Sequence, residues 1–166
     1  MKREFKLNTD GCSLENPGCI GGGFLWDGDG VMVFAFAVPF GEMSSMQAEA
    51  KSLLFGVQQR IQHGFVRLHM EVDSLLLVQI LLNKVACPWK IWAEMEKIKG
   101  CLRFVARVTH CYREWNQVAD ALSKVGATTA SRCFYALHTK LTGLARSAMR
   151  LDTLGLPSIR RLRVFS

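Results

Sequence analysis

Gly23-Phe24-Leu25-Trp26-Asp27-Gly28-Asp29-Gly30-Val31-Met32-Val33-Phe34-Ala35-Phe36-Ala37-Val38 consists of two extended, apolar-rich segments joined by consecutive Asp-Gly steps. Asp-Gly accepts the positive φ angles of tight hairpin turns, so residues 23–27 and 31–38 are predicted to pair as antiparallel strands. Upstream, Phe5-Lys6-Leu7-Asn8-Thr9-Asp10 supplies another strand, and the chain therefore opens as an antiparallel meander. Between the first and second strands, Asn16-Pro17-Gly18 reads as a turn. The following Gly21-Gly22-Gly23 leaves backbone without side chains, where another part can approach closely.

Downstream the apolar period changes. Met46, Ala50, Leu53, Leu54, Val57 and Ile61 share one helical face, with Ser44 or Ser45 placed to cap it and His63-Gly64 to end it. Phe65 to Val72 alternates as a strand. Ser74 to Asn83 is an almost wholly apolar short helix, expected to be buried on several sides. Pro88 to about Lys99 reads as a helix, Leu102 to Thr109 as a fifth strand, and Asn116 to Val125 as a helix. The order gives an α/β class: a five-stranded mixed sheet flanked by helices.

At 166 residues, 49% of them apolar, the chain has the size and composition of one globular domain. It holds no uninterrupted apolar run of the roughly 18–20 residues that a membrane span needs. Met1-Lys2-Arg3-Glu4 enters the first strand without an apolar signal region, so the expected setting is intracellular, with nucleus or cytoplasm left open. Six cysteines form no Cys-x-x-Cys pair, which favours free thiols over zinc. The net charge of +7 is uneven: residues 1–126 carry 14 Lys and Arg against 13 Asp and Glu, and residues 127–166 carry 7 against Asp152 alone. Residues 1–126 are read as the domain. Residues 127–166 are read as a basic, partly helical appendage, with Ala127 to Met149 able to form one helix, that either adds phosphate affinity or packs on the domain.

Four acids stand out. Asp10 and Asp73 close strands, Glu49 lies in the first turn of the long helix beside its apolar stripe, and Asp120 follows Asn116 by one helical turn. Each has an ordinary reading as a turn, a cap or a solvated position.

Leu7-Asn8-Thr9-Asp10-Gly11, Asn16-Pro17-Gly18, Ala48-Glu49-Ala50, Glu71-Val72-Asp73-Ser74 and Tyr112-Arg113-Glu114-Trp115-Asn116-Gln117-Val118-Ala119-Asp120 together resemble the ribonuclease H family, in this order. They are most similar to its plant, retroelement-derived type, and the resemblance spans residues 5 to about 126. It implies that Asp10, Glu49, Asp73 and Asp120 converge as ligands of two Mg²⁺ ions, with Mn²⁺ as an alternative. Asp10 would bridge both ions, Glu49 and Asp73 would serve the nucleophile side, and Asp120 the other. It implies hydrolysis of the RNA strand of an RNA/DNA hybrid, with the backbone of Gly11, Cys12 and Ser13, and the side chains of Asn16 and Asn116, as substrate contacts. Arg113 stands where many members carry a mobile histidine and can act through charge, not as a base. His110, inside the strand, is read as a core or sheet-face residue.

Two-metal catalysis fits that acid set, because in-line displacement at phosphorus builds negative charge on both the attacking and the leaving oxygen. Some features depart from the family. Many members carry Asn ahead of the catalytic Glu, where this chain has Ser45 and Met46, Leu75 replaces a polar residue after Asp-Ser, and the segment Asn83 to Trp92 is too short for a basic hybrid-gripping handle. A catalytically weak binding or assembly module of the same fold is the alternative reading, and a related nuclease acting on another substrate is a third. Partners other than nucleic acid are not indicated; the expected state is a monomer or part of a larger polyprotein.

Overall fold

In Phe5–Ser13 (β1), the two-residue period of an extended chain sets Leu7 and Thr9 on one face and Lys6, Asn8 and Asp10 on the other. The computed structural model describes residues 4–13, 18–64, 67–113, 116, 117, 119 and 133–135. β1 pairs antiparallel with β2 (Cys19–Trp26), which pairs antiparallel with β3 (Met32–Gly41). The turn between β2 and β3 is built as the Asp-Gly steps demand: Asp27 Oδ1 accepts from the backbone N–H groups of Asp29 and Val31, and Gly30 has φ +77°. On its other side β1 runs parallel to β4 (Leu68–Val72), and β4 runs parallel to β5 (Val105–His110).

The five expected strands are therefore present as a mixed sheet, joined by a short sixth, β6 (Cys133–Tyr135), antiparallel to Ala35–Ala37 of β3. The sheet order is β5-β4-β1-β2-β3-β6. A continuous helix over 127–149 is thus corrected at 133–135. There a β-favouring Cys-Phe-Tyr run meets the open backbone edge of β3, and pairing satisfies groups that would otherwise end the sheet.

The long helix α1 (Ser45–Gln62) starts on a reciprocal cap. The Gln47 N–H donates to Ser44 Oγ (3.2 Å), and the Ser44 N–H donates to Gln47 Oε1 (3.0 Å). Ser44, not Ser45, is the cap, so Glu49 falls just past the first turn. Its buried face, Ala48, Ala50, Leu53 and Val57, lies on the sheet with Leu7, Leu25, Phe36 and Met70 in one core. Arg60 is buried in the same layer with its guanidinium 4.3 Å from the Phe5 ring centroid; burial lowers it to about 10, which leaves it charged at neutral pH.

The glycine run belongs to β2 itself, and what approaches it is α1. A Cβ on Gly21 would overlap Ser52, whose hydroxyl is tied to the Ala48 carbonyl (2.7 Å). A Cβ on Gly11 would strike the Ala48–Glu49 backbone.

The second helix, α2 (Leu75–Leu81), is capped by Ser74. Its sequence led to an expectation of burial on several sides, and the structure corrects this: Leu77, Val78, Ile80 and Leu81 enter the core, while Leu75 and Leu76 are exposed, at 52% and 37%, as is the following Leu82. A helix of two turns laid on the margin of the sheet has only one face to bury. A 3₁₀ turn (Trp89–Ile91) leads into α3 (Trp92–Gly100), which packs on α1, where Lys51 meets Glu94 at 3.2 Å. Another 3₁₀ turn, Leu102–Phe104, takes the first residues of the expected fifth strand. His110 ends β5 exposed, edge-on to Tyr112. Cys12, Cys19, Cys87, Cys101 and Cys111 are free, and of these only Cys19 is fully buried.

Gly11→Ala forces α1 off the sheet, because the obstruction is backbone. We expect a loss of about 1–3 kcal/mol in urea unfolding. Gly64→Ala, at an open position of positive φ, should cost less, about 1 kcal/mol. A second prediction concerns His69, which is buried and hydrogen-bonded through Nε2 to Thr109 Oγ1 at 2.6 Å. Burial first, and then Arg107, lower its pKa below the ordinary 6.5. The unfolded chain therefore takes up the proton first, and stability should fall as pH drops through 6.5. Urea midpoints at about pH 7.5 and 5.5 should differ more in the wild type than in His69→Gln; equal differences would reject this role.

Candidate metal centre

Parallel pairing of β1 with β4 sets Thr9 opposite Val72, so Asp10, which lies within β1 and does not close it, and Asp73, the first residue past β4, stand at the same level. Contact of α1 with Gly11 brings Glu49 to the same place from above the sheet. One carboxylate oxygen from each of Asp10, Glu49 and Asp73 lies within 4.8 Å of the others. Asp10 is almost fully buried, as is the Asp73 side chain. Burial and then the Asp73 charge push Glu49 above the usual carboxylate range, partly offset by a hydrogen bond with Ser74 and by the Arg113 guanidinium.

Arg113 reaches over the group from beyond β5. Its Nε lies 3.7 Å from Asp73 Oδ2 and its Nη2 4.0 Å from Glu49 Oε1, with most of the side chain in solvent. Its charge is permanent, so it offsets carboxylate repulsion at any working pH. Asn116 is fully buried, and its amide donates to the Thr9 carbonyl at 2.8 Å, holding the backbone just before Asp10. The backbone of Gly11, Cys12 and Ser13 continues β1 beyond its last β4 partner, Thr9, and pairs only with β2 among the described residues. Asp120 and Asn16 lie outside the described residues, as does the Ser13 side chain.

Cys111 sits beside the cluster, its backbone N–H on the Val72 carbonyl (3.0 Å). Burial, with the Glu71 and Asp73 charges, pushes its thiol up to about 12, so it is protonated at neutral pH. Sequence reasoning passed over Asn8 and Glu71, which meet across β1 and β4: Asn8 Nδ2 donates to Glu71 Oε1 at 2.8 Å. Their signal was positional, each standing two residues before an acid of the cluster and so on the same strand face.

Sheet order, the helix crossing between β3 and β4, and an acid cluster where parallel strands end define a ribonuclease H-like domain. Residues 8–126 match the family described as reverse transcriptase-like, and the chain belongs to that ribonuclease H-like family. An Arabidopsis thaliana protein named "Putative ribonuclease H protein" is 32% identical over 162 residues, 96% of this chain and 26% of that protein; the chain thus spans about a quarter of that relative's length. Among solved structures, RNase H1 of the halophilic archaeon Halobacterium salinarum superposes with a TM-score of 0.69 at 25% identity, over 74% of this chain and 96% of that one. LC11-RNase H1, solved in complex with an RNA/DNA hybrid, gives a TM-score of 0.69 at 20% identity, over 75% of this chain and 97% of that one. Among the described residues, no helix is long and apolar enough to cross a membrane.

The donor set suits a hard divalent cation. Three anionic oxygen donors are close enough for one ion to span, no sulfur or imidazole ligand joins them among the described residues, and mutual repulsion is relieved by added positive charge. Without divalent cations, Asp10→Asn should therefore raise the melting temperature by roughly 2–4 °C, the equivalent of about 1 kcal/mol of relieved repulsion. Mn²⁺ should raise the melting temperature of the wild type and leave Asp10→Asn nearly unchanged. Equal Mn²⁺ shifts in both proteins would show that the cluster holds no cation.

Proposed function

We propose that this domain is a metal-dependent endoribonuclease that hydrolyses the RNA strand of RNA/DNA hybrids. The observation that carries the reading is the convergence of Asp10, Glu49 and Asp73, from two strands and a helix, on one point at the sheet end. Asp10, Glu49 and Asp73, with Asp120 as the fourth acid, would hold two Mg²⁺ or Mn²⁺ ions. When bound, such ions would offset the negative charge that builds on the attacking and leaving oxygens and would lower the pKa of the attacking water.

The protein's own part is placement. β1 and β4 hold Asp10 and Asp73 in fixed register, and α1 fixes Glu49, so the acids cannot spread apart to relieve their repulsion. Arg113, with most of its side chain in solvent, would exchange a carboxylate for a phosphate oxygen as substrate enters, which supplies charge without proton transfer. The backbone of Gly11, Cys12 and Ser13, past the last β4 partner of β1, would contact the RNA strand, whose 2′-hydroxyl both donates and accepts. Asn16 would contact that strand directly. Asn116, being buried, would act by holding Thr9. The basic excess of residues 127–166 would add phosphate affinity without sequence preference.

A second reading, a weakly active binding or assembly module, draws support from one feature: Leu75 and Leu76 present bare apolar surface directly after Asp73 and Ser74. Cleavage of an end-labelled hybrid in Mg²⁺ or Mn²⁺ separates the two. We expect metal-dependent cutting of the RNA strand, abolished by chelation and reduced at least 1000-fold, or roughly 4 kcal/mol of barrier, in Asp10→Asn. Retained binding with no cutting by the wild type would favour the second reading. Preferential cutting of double-stranded or single-stranded RNA would assign a different nuclease substrate.

A further inference from the structure

Below the acid cluster lies a second polar rung of the same strand pair. Asn8 and Glu71 are register partners in β1 and β4; Asp10 stands two residues further along β1, on the face of Asn8, and Asp73, two residues beyond Glu71, directly follows the last residue of β4. The Asn8 amide, 1% exposed, donates to Glu71 Oε1 at 2.8 Å, and Lys6 Nζ approaches the same oxygen at 3.8 Å. This side-chain bond joins residues 63 apart in sequence. Its strand-mates carry the two acids that have to sit side by side.

The bond also has a physical task. Parallel pairs are held by slanted backbone bonds that leave some freedom to shear, and two carboxylates at one strand end push such a pair apart. A half-buried amide–carboxylate bond one rung below, its donor buried and its acceptor partly exposed, opposes that shear. It is charge-assisted, which makes it stronger than a neutral pair. Glu71 is not in the group whose oxygens converge on the candidate metal position, so its carboxylate is committed to Asn8 and Lys6 and not to a cation.

We propose that Asn8 and Glu71 are positioning residues of the acid cluster, fixing the spacing of Asp10 and Asp73 so that the site accepts a divalent cation. This rests on the reading of the cluster as a cation site. Breaking the rung should lower affinity for the ion far more than it lowers stability, while a variant that keeps an acceptor at position 71 should retain affinity.

The test is calorimetric titration of Mn²⁺ into the full chain, with thermal melting and hybrid cleavage alongside. Asn8→Leu and Glu71→Leu are each expected to weaken Mn²⁺ binding at least tenfold and to raise the Mn²⁺ concentration needed for half-maximal cleavage by a similar factor. Glu71→Gln, which still accepts from Asn8, should stay within about threefold of the wild type. Ile98→Val, a core deletion in α3, controls for lost stability and should leave Mn²⁺ affinity unchanged. Wild-type affinity in both leucine variants, or equal loss in Glu71→Gln and Glu71→Leu, would overturn the proposal while leaving the cation site intact. Absence of Mn²⁺ binding by the wild type would remove the cation site itself, and the proposal with it. Should one leucine variant not fold, the other, with Glu71→Gln, decides the matter.

Discussion

Backbone contact between α1 and β1 at Gly11 is the constraint from which the rest of the site follows. No side chain fits between the Ala48–Glu49 backbone and the strand, so the helix rests directly on the sheet. Gly21 repeats the arrangement one strand over, where Ser52 occupies the space a Cβ would need. Such close approach buries α1 along its small-residue positions, Ala48, Ser52 and Gly56, with Leu53 and Val57 filling the core beside them. It also fixes the height at which Glu49 meets Asp10. Enlarging either glycine would separate the two acids by the same distance that it lifts the helix.

The acid cluster stands against this rigid background as a point of stored repulsion. Burial and the Asp73 charge both make Glu49 harder to ionise, and the cluster is tolerated because Arg113 and Ser74 offset part of the cost. The arrangement costs stability, which a bound cation would return. Arg113, 3.7 Å from Asp73 and 4.0 Å from Glu49, brings a permanent positive charge to the cluster.

The meander was legible because the Asp-Gly turn has a chemical signature in consecutive residues, and α1 because its cap and stripe lie within one segment. The extent of β2 was not: Gly21-Gly22-Gly23 reads as loop by propensity, and only packing beneath α1 makes it central strand. The burial of α2 was misjudged for a related reason. Leu75, Leu76 and Leu82 are apolar in any setting, and whether something covers them depends on where two helical turns meet the edge of the sheet. The strand at 133–135 was missed because the short run Cys-Phe-Tyr becomes a strand through the open edge of β3, a partner almost a hundred residues away.

For the site, the residue order and local motifs singled out the acids and suggested their family, since turn, cap and strand-end signals are short-range and survive in a linear reading. What the linear chain could not supply was adjacency. Asp10, Glu49 and Asp73 come together only because β1 and β4 pair in parallel at one register and α1 sits without a spacer on Gly11. The pairing of Asn8 with Glu71 and the fastening of Thr9 by Asn116 were invisible for the same cause. Side chains 63 and 107 positions apart acquire a shared meaning only when burial removes water as their alternative partner.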